Sequence, residues 1–204
     1  MIQVVLFDLG NVLVDLGETK HLNQMLMSHD TEKEAWLKWL ASPSVKAFDT
    51  GKITLVEFAA HLLEEFSGEV PSNKEVEEFC HSFKYWPKGL FEGALELVDS
   101  VKPHIHRGIL SNTNAAHWPR LMQEMGLAGH FDSYFASHHL GAVKPDLNIY
   151  QKVLSKLDTP PEQALFIDDN QINIDTALSL GMQAHRVKGV LEAKLVLKDY
   201  NLLN

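Results

Sequence analysis

Four short apolar runs, each cut off by polar residues, constrain the fold of this chain more than any other feature of its sequence. Val4-Val5-Leu6-Phe7 stops at Asp8, with Gly10 close behind. A run that is apolar at every position is buried on both faces, as strands are in a parallel sheet. Gly108-Ile109-Leu110, Tyr134-Phe135-Ala136 and Ala164-Leu165-Phe166-Ile167 repeat the pattern. Helical stripes lie between and after them. Trp118, Leu121, Met122 and Met125 recur at helical spacing, with Gly126 as the stop. Ile149, Val153, Leu154 and Leu157 form a second stripe behind Pro145 and Asp146. Ile174, Ala177 and Leu178 form a third, closed by Gly181, and Leu191 to Leu203 reads as a terminal amphipathic helix. Strand–helix alternation at this spacing predicts right-handed βαβ units and an open parallel sheet, an α/β fold.

The stretch from 16 to 87 breaks that rhythm. It reads as helices over His21 to Ser28, Glu32 to Ala41, Leu55 to Phe66 and Asn73 to Phe83. Ser42-Pro43, Gly51, Gly68 and Pro71-Ser72 separate them. The expected organisation is a sheet core from 1–15 and 88–204, with an all-helical insertion over 16–87. Trp36, Trp39, Phe58 and Phe66 are expected to form the insertion's own core rather than a platform for substrate.

At 204 residues the chain can bury a core without staples, and its single cysteine, Cys80, excludes an intrachain disulfide. The formal charge of −9 argues against nucleic acid or an anionic membrane as the main partner. The start, Met1-Ile2-Gln3, is neither a signal peptide nor a span, so a soluble, cytoplasmic protein is expected. Eleven histidines, among them His104, His106, His138 and His139, show no zinc-ligand spacing. His138 and His139 are expected near the rim of the site.

Ligands of open α/β sheets bind beyond the carboxyl ends of the strands. The residues at those ends are Asp8, then Ser111-Asn112, then Lys144 at the end of a loop, then Asp168-Asp169. Taken singly, each has an ordinary explanation: a turn aspartate, a helix cap, a surface lysine. The adjacent acids are hardest to explain that way, because they repel each other without a cation. Together the groups suit phosphoryl transfer. A carboxylate attacking a phosphate dianion needs a divalent cation and a fixed positive charge. Asp8, Asp168 and Asp169 supply hard oxygen ligands for Mg²⁺, and Lys144 supplies the charge. Ser111 and the backbone around Asn112 can hold phosphate oxygens.

These four segments resemble the four motifs of the haloacid dehalogenase superfamily, and the resemblance covers the whole chain. It implies a Rossmann-like parallel sheet core with an inserted all-helical cap of the superfamily's first type. Phe48-Asp49-Thr50-Gly51-Lys52-Ile53-Thr54 is similar to a segment common in caps of its phosphatase branch. On this resemblance Asp8 is the nucleophile that becomes an aspartyl-phosphate, Ser111 binds phosphate, and Lys144 is the motif lysine. Asp168 and Asp169 complete a Mg²⁺ site to which Gly10 contributes its carbonyl. The implied partner is a small phosphorylated metabolite, with a sugar phosphate as the expected class.

One position departs from the pattern. Most phosphatases of the superfamily carry a second Asp two residues after the nucleophile, acting as general acid and then base. Here that residue is Gly10. The string Asp8-Leu9-Gly10-Asn11-Val12 resembles a branch that includes sugar-1-phosphate phosphatases. Two alternatives remain at this stage: a metal-independent haloacid dehalogenase, and a non-catalytic relic that senses phosphate or binds a partner.

Overall fold

The computed structural model describes residues 1–17, 23, 25, 26 and 30–204. The helix expected over His21 to Ser28 falls largely outside the described residues. Strand β1 is Val4–Phe7, followed by a two-residue strand β2, Val14–Asp15. Helices α1 (Glu32–Ala41), α2 (Pro43–Asp49), α3 (Leu55–Ser67) and α4 (Asn73–Lys84) come next. After β3 (Gly89–Leu90) and α5 (Ala94–Asp99) come β4 (His106–Ser111), β5 (Ser133–Ala136), α6 (Ser137–Leu140) and α7 (Leu147–Leu157). The chain closes with β6 (Ala164–Asp168), α8 (Gln171–Ser179), β7 (Gln183–Arg186) and α9 (Gly189–Asp199).

Five strands form one all-parallel sheet in the order β5-β4-β1-β6-β7. The chain fills one side of β1, then crosses to the other, so the topological switch lies at the end of β1. Alternation along β1 sends Val5 and Phe7 to one face and Val4 and Leu6 to the other, each into its own apolar cluster. Burying each such side chain is worth about 1.5–3 kcal/mol. The helices form a third cluster built around Trp39, Phe48, Phe58, Phe79 and Phe83. Trp36 and Phe66 pack against it, half-buried.

Three helix starts in this layer share one device. Thr31, Thr54 and Ser72 each cap a backbone N–H of Glu34, Glu57 or Glu75, and that glutamate returns the bond. Where the helical stretch leaves and rejoins the sheet core, β2 and β3 pair antiparallel, Val14 with Leu90 and Asp15 with Gly89.

Four local expectations need correction. Ser42-Pro43 is a break, but it also starts helix α2: Ser42 caps Val45 N–H, and Pro43 occupies the first turn. The turn after Trp118 is wider than an α-helix, with Met125 N–H bonded five residues back to Arg120 O at 2.9 Å. Helix α9 ends at Asp199, and Leu203 turns back to bridge Val101. Strand β7 went unforeseen because Gln183 and His185-Arg186 leave it only one buried residue, Ala184.

Candidate active site

The register carries Asp8 to the switch point. Phe7 lies opposite Ile109 on one side and Ile167 on the other, so the next residue emerges between the ends of β4 and β6. Asp8 N–H donates to Ile167 O at 2.9 Å, which fixes its backbone. The turn that follows is wound tightly on one carbonyl, with the N–H groups of Leu13 and Val14 both donating to Leu9 O. Asn11 sits there at φ +53°, a left-handed conformation that Asn tolerates. Its amide donates to Asp169 Oδ2 at 3.0 Å. Gly10 itself is not in the left-handed region, and a Cβ there would meet the Leu16 side chain at 3.0 Å. The backbone therefore does not demand glycine at this position.

Lys144 ties the site together. Its ammonium lies 2.8 Å from Asp8 Oδ1 and 2.6 Å from Asp168 Oδ2, and only 4% of the residue is exposed. Asn112 holds it in place: the Asn112 amide donates to Lys144 O at 2.9 Å, and Lys144 N–H donates to Asn112 Oδ1 at 2.8 Å. The Asn112 side chain is thus committed to the lysine backbone, and Ser111, one residue earlier, is buried at the end of β4.

The two members of the acidic pair differ. Asp168 is wholly buried and heavily bonded, accepting from Lys144, from Asn170 N–H at 2.7 Å and from the Asn173 amide at 3.0 Å. Asp169 is half-buried and accepts one side-chain bond, from Asn11. One oxygen from each of Asp8, Asp168 and Asp169 lies within 4.8 Å of the others.

Charge is unbalanced at this rim. Burial pushes the Asp8 carboxyl up to about 7 against the pull of Lys144, and Asp168 and Asp169 add repulsion. Burial likewise raises Asp169, although the Asn11 bond opposes it. Burial alone would pull the Lys144 ammonium down, but Asp168 and Asp8 outweigh it and hold it above the usual lysine range. Three carboxylates and one ammonium sum to −2 when ionised, the charge a divalent cation offsets. All candidate ligands are hard oxygens, the donor set that suits Mg²⁺.

Helix α2 reaches this rim from the helical layer. Lys46 pairs with Asp146 at 2.9 Å, two residues beyond Lys144. Asn114 Nδ2 donates to Asp49 Oδ1 at 3.3 Å and lies 3.4 Å from His117 Nδ1. His117 Nε2 reaches Phe83 O on α4 at 2.7 Å. His138 Nδ1 lies 3.1 Å from Thr113 O in the loop after β4, and the His139 ring lies beside it with centroids 4.0 Å apart. Reading the sequence missed Asn11, Asn173, Asn114 and Asp49. Asp49 carries a signal in the segment Phe48 to Thr54, and Asn11 in the string Asp8 to Val12; Asn114 and Asn173 are found only through the fold.

Comparison with known proteins agrees with this fold. The family model for haloacid dehalogenase-like hydrolases matches residues 2–181. D-ribitol-5-phosphate phosphatase of Bacteroides thetaiotaomicron is 24% identical over 190 residues, spanning 90% of each chain. Drimenol cyclase drtB of Aspergillus calidoustus is 26% identical over 90% of this chain, which spans only 34% of that protein. Among solved structures, a haloacid dehalogenase family enzyme of B. thetaiotaomicron, in complex with magnesium and inorganic phosphate, superposes with a TM-score of 0.72. It is 22% identical, with 92% of this chain and 95% of that one covered. With its parallel sheet, its strand-end carboxylates and a family match over most of its length, the chain belongs to the haloacid dehalogenase-like hydrolases.

Proposed function

We propose that the protein is a Mg²⁺-dependent phosphatase that hydrolyses a small phosphorylated metabolite through an aspartyl-phosphate on Asp8. One observation carries this reading: Lys144 is pinned between Asp8 and Asp168, and an Asp169 oxygen lies within 4.8 Å of an oxygen of each of those acids. A dehalogenase attacking carbon gains nothing from such a concentration of carboxylates.

The contacts of Asp8, Lys144 and Asn112 support these roles. An Asp8 oxygen attacks phosphorus in line, the substrate's ester oxygen departs, and the phosphoryl group rests on Asp8 until water displaces it. Lys144 offsets the negative charge of nucleophile and phosphoryl group from a fixed position. Ser111 and the backbone at Asn112 bind phosphoryl oxygens, while the Asn112 side chain positions Lys144. Asp8, Asp169 and the Gly10 carbonyl would hold the cation, with Asp168 at its edge chiefly anchoring Lys144. Bound there, Mg²⁺ would screen the like charges of nucleophile and phosphate. Residues 1–15 and 88–204 are the catalytic core, and 16–87 the cap that excludes bulk water.

Gly10 leaves the leaving group without the usual protonating carboxyl. The name and length match of the ribitol-phosphate phosphatase, and the magnesium and phosphate held by a protein of the same fold, support hydrolysis all the same. The test is a panel of phosphate monoesters with Mg²⁺ or with chelator, using Asp8→Asn as the blank. Mg²⁺-dependent phosphate release that the blank lacks is expected. Halide release from 2-haloacids without metal would replace this reading with the dehalogenase one. Silence on both panels would leave the relic.

A further inference from the structure

The two ends of the buried ion pair belong to two different helices. Lys144 lies just before α7 begins at Leu147, and Asp168 ends β6 just before α8 begins at Gln171. The Lys144 ammonium sits 2.6 Å from Asp168 Oδ2 and 2.8 Å from Asp8 Oδ1. Both distances hold only while α7 and α8 keep one relative position. Among the described residues, a single side-chain hydrogen bond joins these helices. The Tyr150 hydroxyl on α7 donates to Asn173 O on α8 at 3.1 Å, across 23 residues of chain.

Asn173 is also the residue whose amide reaches both oxygens of Asp168 at 3.0 Å, beside the 2.7 Å bond from Asn170 N–H. Both donors belong to the start of α8, so the carboxylate follows that turn, and the lysine follows the carboxylate. Tyr150 meets the lysine's seat a second time through its ring. It packs edge-on against Phe166 with centroids 5.7 Å apart, and Lys144 Nζ stands over the same Phe166 ring at 5.3 Å. Tyr150 is 1% exposed. Burial holds its phenol above the ordinary range against the pull of Lys144, and Asp168 and Asp8 add to the rise, so the hydroxyl is a neutral donor. A phenylalanine would fill the same volume without burying a polar atom. What the hydroxyl adds is direction: it ties Asn173 to α7.

We propose that Tyr150 is a positioning residue of the hydrolysis. Its hydroxyl holds the first turn of α8 against α7, so that Asn173 sets Asp168 and Asp168 sets the Lys144 ammonium against the nucleophile. The proposal rests on the phosphatase reading and adds to it a residue that acts only through its neighbours. Without the hydroxyl the ammonium and the carboxylates all remain, and only their placement suffers. A misplacement of about 1 Å can cost about 100-fold in rate.

The test compares wild type with Tyr150→Phe, Val153→Ala, Lys144→Arg and the Tyr150→Phe/Lys144→Arg double variant. Tyr150→Phe should lower kcat about tenfold and leave KM and the half-saturating Mg²⁺ concentration within about twofold. Val153 is wholly buried in the same apolar cluster as Tyr150. Val153→Ala should lower the urea midpoint at least as far as Tyr150→Phe, yet keep kcat within about twofold. In the Lys144→Arg background the charge no longer sits on one nitrogen, and Tyr150→Phe should cost less than about threefold. An unchanged kcat in Tyr150→Phe, equal losses in Tyr150→Phe and Val153→Ala, or full additivity with Lys144→Arg overturns the proposal. If wild type hydrolyses no phosphate monoester, the phosphatase reading fails separately, and NMR of protein labelled at the lysine Nζ decides. The Lys144 ammonium signal, identified by its loss in Lys144→Arg, should shift in Tyr150→Phe and stay in place in Val153→Ala. A signal that Tyr150→Phe does not move overturns the positioning role.

Discussion

Lys144 and Phe83 occupy comparable positions in two halves of the molecule. Each is almost wholly buried at the centre of its cluster, at 4% and 1% exposure. Around Phe83 lie rings, those of Phe58, Phe79, Trp86 and His117, with centroids 4.4–5.9 Å away. Around Lys144 lie carboxylates at 2.6 and 2.8 Å, and its backbone is clamped by Asn112. The ring cluster depends on volume and tolerates exchange of similar shapes. The charge cluster depends on the sign and position of each atom, and a lost partner leaves a buried charge uncompensated. Stability resides in both clusters, but only the second has the uneven charge that chemistry can use.

The largest contrast should come from truncating the two centres. Lys144→Ala leaves Asp8 and Asp168 facing each other without a counter-charge. It should cost about 3–5 kcal/mol of stability and at least about 10³-fold in kcat. Lys144→Arg keeps the charge and should lose far less of both. Phe83→Leu should cost about 1–3 kcal/mol in urea unfolding while leaving the rim's charges in place. Equal activity losses in Lys144→Ala and Lys144→Arg would show that the lysine acts through shape.

Within the rim, the acidic pair should divide. Asp169→Ala should raise the Mg²⁺ concentration for half-maximal activity at least about tenfold, because Asp169 is the less committed acid. Asp168→Ala should chiefly unseat Lys144 and lower the unfolding midpoint. Calorimetric Mg²⁺ titration of both variants separates the roles, and matching Mg²⁺ affinities would erase the distinction.

Gly10 gives a smaller effect. Without a carboxyl there, rate should fall steeply as the leaving group's pKa rises. The backbone at Gly10 accepts a side chain once Leu16 shifts. Gly10→Asp should therefore flatten that slope, gaining roughly 10-fold or more on poor leaving groups. A folded, metal-binding variant with an unchanged slope would mean that another group already delivers the proton.

The smallest effect lies where the two halves meet. Burial moves Asp49 up from 3.8 to about 6 and His117 down from 6.5 to about 4. Between these values, unfolded Asp49 has released a proton that the folded protein keeps, so its contribution to stability falls as pH rises. Unfolded His117 binds a proton that the folded, neutral imidazole refuses, so its contribution rises with pH. The two oppose each other, each by about 1–3 kcal/mol. Relative to wild type, Asp49→Asn should tilt the stability-against-pH slope upward from about pH 4 to 6, and His117→Gln should tilt it downward. Urea midpoints across this range check both signs, and parallel slopes in the two variants would break the pairing.

The sheet was legible because strands buried on both faces leave an unbroken apolar run, and its four runs became β1, β4, β5 and β6. Strand β7 was not, because an edge strand needs only one apolar face. Asp8, Asp168 and Asp169 could be singled out because each stands at the carboxyl end of an apolar run, and Lys144 because it ends the loop that leads on from one. Asn112 could be too, as part of a phosphate clamp, but the pairings by which Asn11 and Asn112 orient these groups could not. Asn11 reaches Asp169 across 158 residues and Asn112 reaches Lys144 across 32, and no local pattern marks such pairs. Helix α2 was hidden for a different reason: Ser-Pro reads equally as a stop and as a start.

The central claim is that Asp8 carries the phosphoryl group. A single turnover with excess enzyme and Mg²⁺, quenched in acid within milliseconds and digested for mass spectrometry, tests it directly. The account predicts a transient phosphoryl group on the peptide containing Asp8, located to that residue, that rises and decays as phosphate appears. Phosphate released at the same rate with Asp8 never modified would contradict it.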